Sequence, residues 1–139
     1  MQRQYSDQRD SGSLAAAVSA ARFPLLLPRW LPPETSLGSF RWWNAGHAVE
    51  IHTATKGLPL DDQVTGQLTI KLWVGDPTDE TRFTRIDGVP VDSDRAANGW
   101  RYSAGEPDVW YGNIDGTYVL ASTVLAKEAA FLALESLAS

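Results

Sequence analysis

Between residues 37 and 121 apolar side chains recur at short intervals broken by Gly, Asp, Asn and Pro, the rhythm of strands separated by turns. The clearest stretch is 66–74. There Leu68, Ile70, Leu72 and Val74 alternate with Gln67, Thr69, Lys71 and Trp73, a period of two that predicts one buried and one wet face. Residues 38–44 and 47–55 read as two further strands joined through Ala45-Gly46. Residues 75–79 form a turn cluster. Residues 82–86 and 89–91 flank Asp87-Gly88, while 109–114 and 117–121 flank Asp115-Gly116. Both dipeptides suit the positive φ values of a type I′ hairpin turn. In the second hairpin a two-residue loop pairs Ile114 with Thr117 and Gly112 with Val119. That register puts Val109, Tyr111, Tyr118 and Leu120 on one face. Pro90 cannot donate to a ladder, so its arm belongs at an edge or a bulge.

The ends of this region follow other rules. Residues 13–22 read as a short alanine-rich helix with Ser13 as N-cap, stopped by Pro24. Residues 23–33 carry too many prolines for a helix or central strand. They predict an extended segment burying Leu25, Leu26, Leu27, Trp30 and Leu31 over the core. A closing helix is expected from Val124 to about Ala138, capped by Ser122 or Thr123, and too apolar to stand free of the sheet. The fold class is therefore α+β: an antiparallel sheet of short hairpin-linked strands, with a short N-terminal helix and a C-terminal helix packed on it. Residues 13–139 make one such domain. Residues 1–12, polar and without the features of a signal peptide, read as a disordered lead-in or an artificial boundary.

Composition narrows the chemistry. The chain has 139 residues and a net charge of −5, which counts against nucleic acid as a partner. It contains no cysteine, so disulfides, a thiolate nucleophile and Cys-ligated zinc are excluded. No apolar run approaches the roughly 20 residues of a membrane-spanning helix. Six tryptophans are the unusual feature.

Three segments in order carry a resemblance. They are the early helix followed by Phe23-Pro24-x-x-x-Pro28-x-x-Leu31-Pro32, the mid-chain strand with its Gly88 hairpin, and Trp110 with Asp115-Gly116-Thr117-Tyr118-Val119-Leu120 and a helix ending Glu135-Ser136-Leu137. Together they resemble a bacterial domain family of unknown function found in extracytoplasmic parts of anti-sigma-factor-like membrane proteins and lipoproteins. The resemblance implies an extracytoplasmic domain of a membrane-anchored regulatory or sensory protein, and no assigned catalytic residues. The chain itself shows no lipobox cysteine and no membrane span. A native start at Met1 would instead place it in the cytoplasm.

No short catalytic motif is present, and neither a cofactor nor a metal is expected. His47 and His52 fall on opposite faces of one strand, whereas Glu50 and His52 share a face, as either a surface ion pair or a general-base pair. The acidic pairs Asp61-Asp62, Asp79-Glu80, Asp92/Asp94 and Glu106/Asp108 sit in turn-like stretches, where Asp serves local hydrogen bonding. Trp30, Trp42 and Trp110 are expected in the core. Trp43, Trp73, Trp100 and Tyr102 are the candidate binding residues, since exposed rings anchor partners or stack on sugars. The sequence thus predicts a non-enzymatic domain binding a protein partner or an envelope ligand. The alternatives are a small enzyme or apolar-ligand binder with an aromatic pocket and Glu50–His52 as acid/base, and a sugar-binding platform of Trp43 and Trp73.

Overall fold

The computed structural model describes residues 9–56, 68–75 and 88–139. Among these the elements run β1 (Asp10–Gly12), α1 (Leu14–Ala20), β2 (Leu27–Pro28), β3 (Thr35–Trp43), β4 (Ala48–Thr55), β5 (Leu68–Trp73) and β6 (Val89–Val91). They continue with β7 (Trp100–Ser103), β8 (Asp108–Ile114), β9 (Thr117–Thr123), α2 (Lys127–Glu135) and β10 (Leu137–Ala138). Eight strands form one antiparallel sheet in the order β1-β3-β4-β5-β9-β8-β7-β6, and β2 pairs with β10 in a separate ribbon. An antiparallel sheet with two helices agrees with the α+β class read from the pattern of residues.

The β8–β9 hairpin has the anticipated register, Ile114 opposite Thr117 and Gly112 opposite Val119. Asp115 and Gly116 hold φ of 51° and 92°, and the Asn113 side chain accepts the Gly116 N–H at 3.0 Å. Alternation along β5 also holds: Leu68, Ile70 and Leu72 are wholly buried. They face a core with Val49, Ile51, Val119, Ala121 and Trp110, closed by Ala17 of α1, Ala130, Ala133 and Leu134 of α2, and Leu25, Leu26 and Leu137. Pro90 sits in β6, the sheet edge. The proposed strand 82–86 with Asp87, the start of the 66–74 strand, most of the 75–79 turn and the pairs Asp61-Asp62 and Asp79-Glu80 lie outside the described residues.

Several expectations need correction. Asp10–Gly12 is not part of a disordered lead-in. It pairs with β3, Asp10 opposite Trp42 and Gly12 opposite Phe40, because β3 offers unpaired backbone groups that composition cannot reveal. Helix α1 is capped by Ser13, whose side chain accepts the Ala16 N–H at 3.2 Å, but ends at Ala20. Trp30 is 40% exposed and is not a core residue.

The closing helix is shorter than its apolar sequence suggests. Ser122 and Thr123 belong to β9, where Thr123 lies opposite both Leu68 and Asp108, and its hydroxyl accepts the Leu125 N–H at 2.9 Å. At the other end the Ser136 hydroxyl accepts the N–H groups of Arg29 and Trp30, at 3.0 and 3.1 Å. Leu137–Ala138 then join the ladder with Leu27–Pro28. A tertiary partner for the backbone displaces the last helical turn.

Trp100 also reverses its expected role, since it is fully buried on the core side. Its ring occupies the space above Gly112, where an added Cβ would lie 2.5 Å from a ring carbon. Its Nε1–H donates to Glu135 Oε2 at 2.9 Å, and the same carboxylate accepts the Ser93 hydroxyl and the Asp94 N–H. Glu135 thereby ties the end of α2 to the loop before β7. Gly112→Ala should destabilise the fold by about 1–3 kcal/mol through overpacking. Glu135→Ala, which leaves the indole N–H buried and unpaired, should cost about 1–3 kcal/mol. Urea unfolding of each variant checks both.

Candidate functional site

The two faces of the large sheet are unlike. Both helices and the apolar part of the 23–33 segment contribute to the core on one face. Among the described residues no helix packs on the other. Its side chains come from the alternate positions of each strand, and the ladder aligns them in rows. One row runs Trp43, Ala48, Trp73, Tyr118, Asn113. The next runs Arg41, Glu50, Lys71, Leu120, Tyr111, Arg101. A third contains His52, Thr69, Ser122 and Val109.

The aromatic side chains form a small second cluster of their own. Trp73 and Tyr118 stack with ring centroids 5.4 Å apart and planes 25° apart, and Tyr111 lies 6.3 Å from Trp73. Trp43, Val109, Tyr111 and Tyr118, all half-buried, pack around buried Ala48, Trp73 and Leu120. Trp73 therefore lies on the anticipated side but is only 2% exposed. Its bulk is covered by neighbours in the same row and the next. Cations border the cluster: Arg9 lies 4.2 Å and Lys71 Nζ 4.9 Å from the centre of the Trp43 ring.

Beside this cluster Glu50 and His52 meet, as their shared face predicts. His52 Nε2 is 2.9 Å from Glu50 Oε1, and Arg9 Nη1 approaches the same oxygen at 3.1 Å. Burial disfavours the Glu50 carboxylate. The His52 hydrogen bond and the charges of His52, Arg9 and Lys71 outweigh it and hold the pKa below the ordinary value. Tyr111 is pushed the opposite way, first by burial and then by the neighbouring Tyr118. His47 stands apart in the β3–β4 turn with Nδ1 3.0 Å from the Asn44 carbonyl. No group of three His, Asp or Glu side chains among the described residues is arranged to hold a metal.

The four aromatic candidates thus divide. Trp43 and Trp73 share the open face, whereas Trp100 and Tyr102 belong to the core side. Tyr102 donates its hydroxyl proton to Asp108 Oδ2 at 2.9 Å and packs 4.6 Å from the Trp110 ring. A sugar platform of Trp43 and Trp73 lacks the geometry it requires, because Trp73 is buried and cations lie against the Trp43 ring. The residues not singled out from the sequence are Arg9, Arg41, Lys71, Tyr111 and Tyr118. The hairpin register had already put the two tyrosines on one face; what it lacked was the β5–β9 pairing that sets them beside Trp73.

On the core side, Val91, Trp110, Lys127, Glu128, Phe131 and Leu132 line an open groove of about 600 Å³, and Trp110 Nε1 has no hydrogen-bond partner. Neither Glu50 nor His52 lines it.

Comparison with protein-family models, characterised proteins and solved structures finds no match for this chain. The resemblance described above therefore rests on its three segments alone.

The lowered Glu50 pKa gives a pH signature. A carboxylate whose folded-state pKa is depressed stabilises the fold above its unfolded value, near 4.5, and loses that contribution as pH falls through the folded value. Glu50→Gln should therefore cost about 1 kcal/mol at neutral pH. The gap to the parent chain should close progressively below pH 4.5, as read by thermal unfolding across pH.

Proposed function

We propose that the protein is a non-catalytic binding domain that engages a protein partner or ligand through the open face of its sheet. The observation that carries this reading is the asymmetry of the sheet. The helices pack on one side, while Trp43, Tyr111 and Tyr118 remain half-buried with Arg41 and Lys71 on the other. Rings ringed by charged groups are what partner-binding surfaces use, because aromatic area is gained at small entropy cost and the rim sets orientation. The proposed setting is the extracytoplasmic part of a bacterial cell-envelope protein of regulatory or sensory type. The three-segment resemblance supports this setting.

The Glu50–His52 hydrogen bond favours a second reading, a small enzyme using the pair as acid and base. Two features weigh against it. A carboxylate with a lowered pKa is a weak base, and Arg9 already takes the oxygen that His52 approaches.

A benzoylphenylalanine photocrosslinker placed at Tyr111 should capture a partner from envelope extract, with the yield falling about tenfold in a Trp43→Ala background, equivalent to about 1.4 kcal/mol. The same group at Leu132, exposed on the core side, should capture none. Capture from Leu132 alone would overturn the assignment of the face.

A further inference from the structure

We propose that the open face receives an acidic polypeptide segment of its partner, with Arg41 as the residue that grips a carboxylate; this rests on the binding-face reading above. Arg41 is half-buried in β3, yet it makes no hydrogen bond or ion pair among the described residues. A guanidinium stays charged at any physiological pH and carries five donors, so partial burial without an acceptor costs free energy that an incoming anion returns. The acid opposite it in register does not pair with it: the ion pairs of Glu50 are with Arg9 at 3.1 Å and His52 at 2.9 Å.

The surroundings have the same sign. Arg9, Arg41, Lys71 and Arg101 lie on this face, and Glu50 is the one carboxylate among its described, strand-paired residues. Among the described residues of this face, positive charge therefore outweighs negative. From Arg41 to Arg101 the row crosses five strand spacings, about 24 Å, which matches an extended segment of some seven residues.

Two observations favour polypeptide over other polyanions. The planar fork of arginine matches a carboxylate in bidentate fashion, and leucine or aromatic side chains of a peptide can pack on half-buried Tyr111 and Tyr118 between the charges. A nucleic acid would need stacking faces and a basic excess. Trp73 is buried, cations lie against the Trp43 ring, and the chain as a whole is acidic.

Fluorescence anisotropy on the full chain tests this with four labelled probes. They are a Glu/Leu dodecapeptide, the same peptide with Gln for Glu, the same with Lys for Glu, and a single-stranded dodecanucleotide. The acidic peptide should bind best at low salt, weaken as salt rises, and lose about tenfold in affinity to Arg41→Ala. Lys127→Ala, on the helix side of the sheet against Tyr102, should leave it unchanged, with thermal unfolding confirming that both variants fold. The proposal is overturned if the Gln, Lys or nucleotide probe binds as well as the acidic one, or if Arg41→Ala has no effect. If such a probe binds and Trp43→Ala removes it, only the acidic specification fails. If no probe binds and the crosslinker at Tyr111 captures nothing, the binding face itself fails.

Discussion

The whole sheet depends on the pairing of β5 with β9. Strands β1, β3, β4 and β5 form one run of the sheet, β9, β8, β7 and β6 the other, and this ladder is where the two meet. Leu72 lies opposite Val119, Ile70 opposite Ala121 and Leu68 opposite Thr123, so the core sides of both runs fall on the same side. A slip of one residue would turn every side chain of one run to the other face. It would expose Val119 and Ala121 and break the row that carries Trp73 to Tyr118. Core and candidate site are therefore products of a single register.

That register also explains why the second face is neither a solvated surface nor a core. It holds Trp73 and Leu120, which are buried, and beside them Arg9, Arg41, Glu50, Lys71 and His52. The aromatic groups shelter one another, and the charged groups gather where that shelter ends.

Local signals in the chain were legible wherever a structural choice is made locally. The Asp115-Gly116 turn, the alternation along β5, the Ser13 cap and the edge position of Pro90 each follow from neighbours within a few residues. Choices made over long distances were not. Trp100 is buried because Gly112 clears space for its ring and Glu135 receives its N–H, and neither partner is near it in sequence. The apolar tail of the closing helix becomes strand because Arg29 and Trp30 supply partners for Ser136. Alternation placed Trp73 on the correct face but was silent on Tyr118, which covers it. For the site, the Glu50–His52 pair was visible in the strand, whereas Arg41 gains meaning only once Glu50 is seen to be engaged.

The three residues of β1 have a consequence for the behaviour of the protein in solution. Strand β3 is nine residues long, and β1 covers only Phe40, Arg41 and Trp42. The stretch from Thr35 to Ser39, unpaired on that side among the described residues, is mostly polar and contains an irregularity between Leu37 and Ser39, a poor template for another strand. The covered stretch, with Phe40 and Trp42 beside Trp43, would be a good one. Clipping by a protease just after Gly12 would bare that aromatic edge, and the chains would then meet edge to edge and come out of solution.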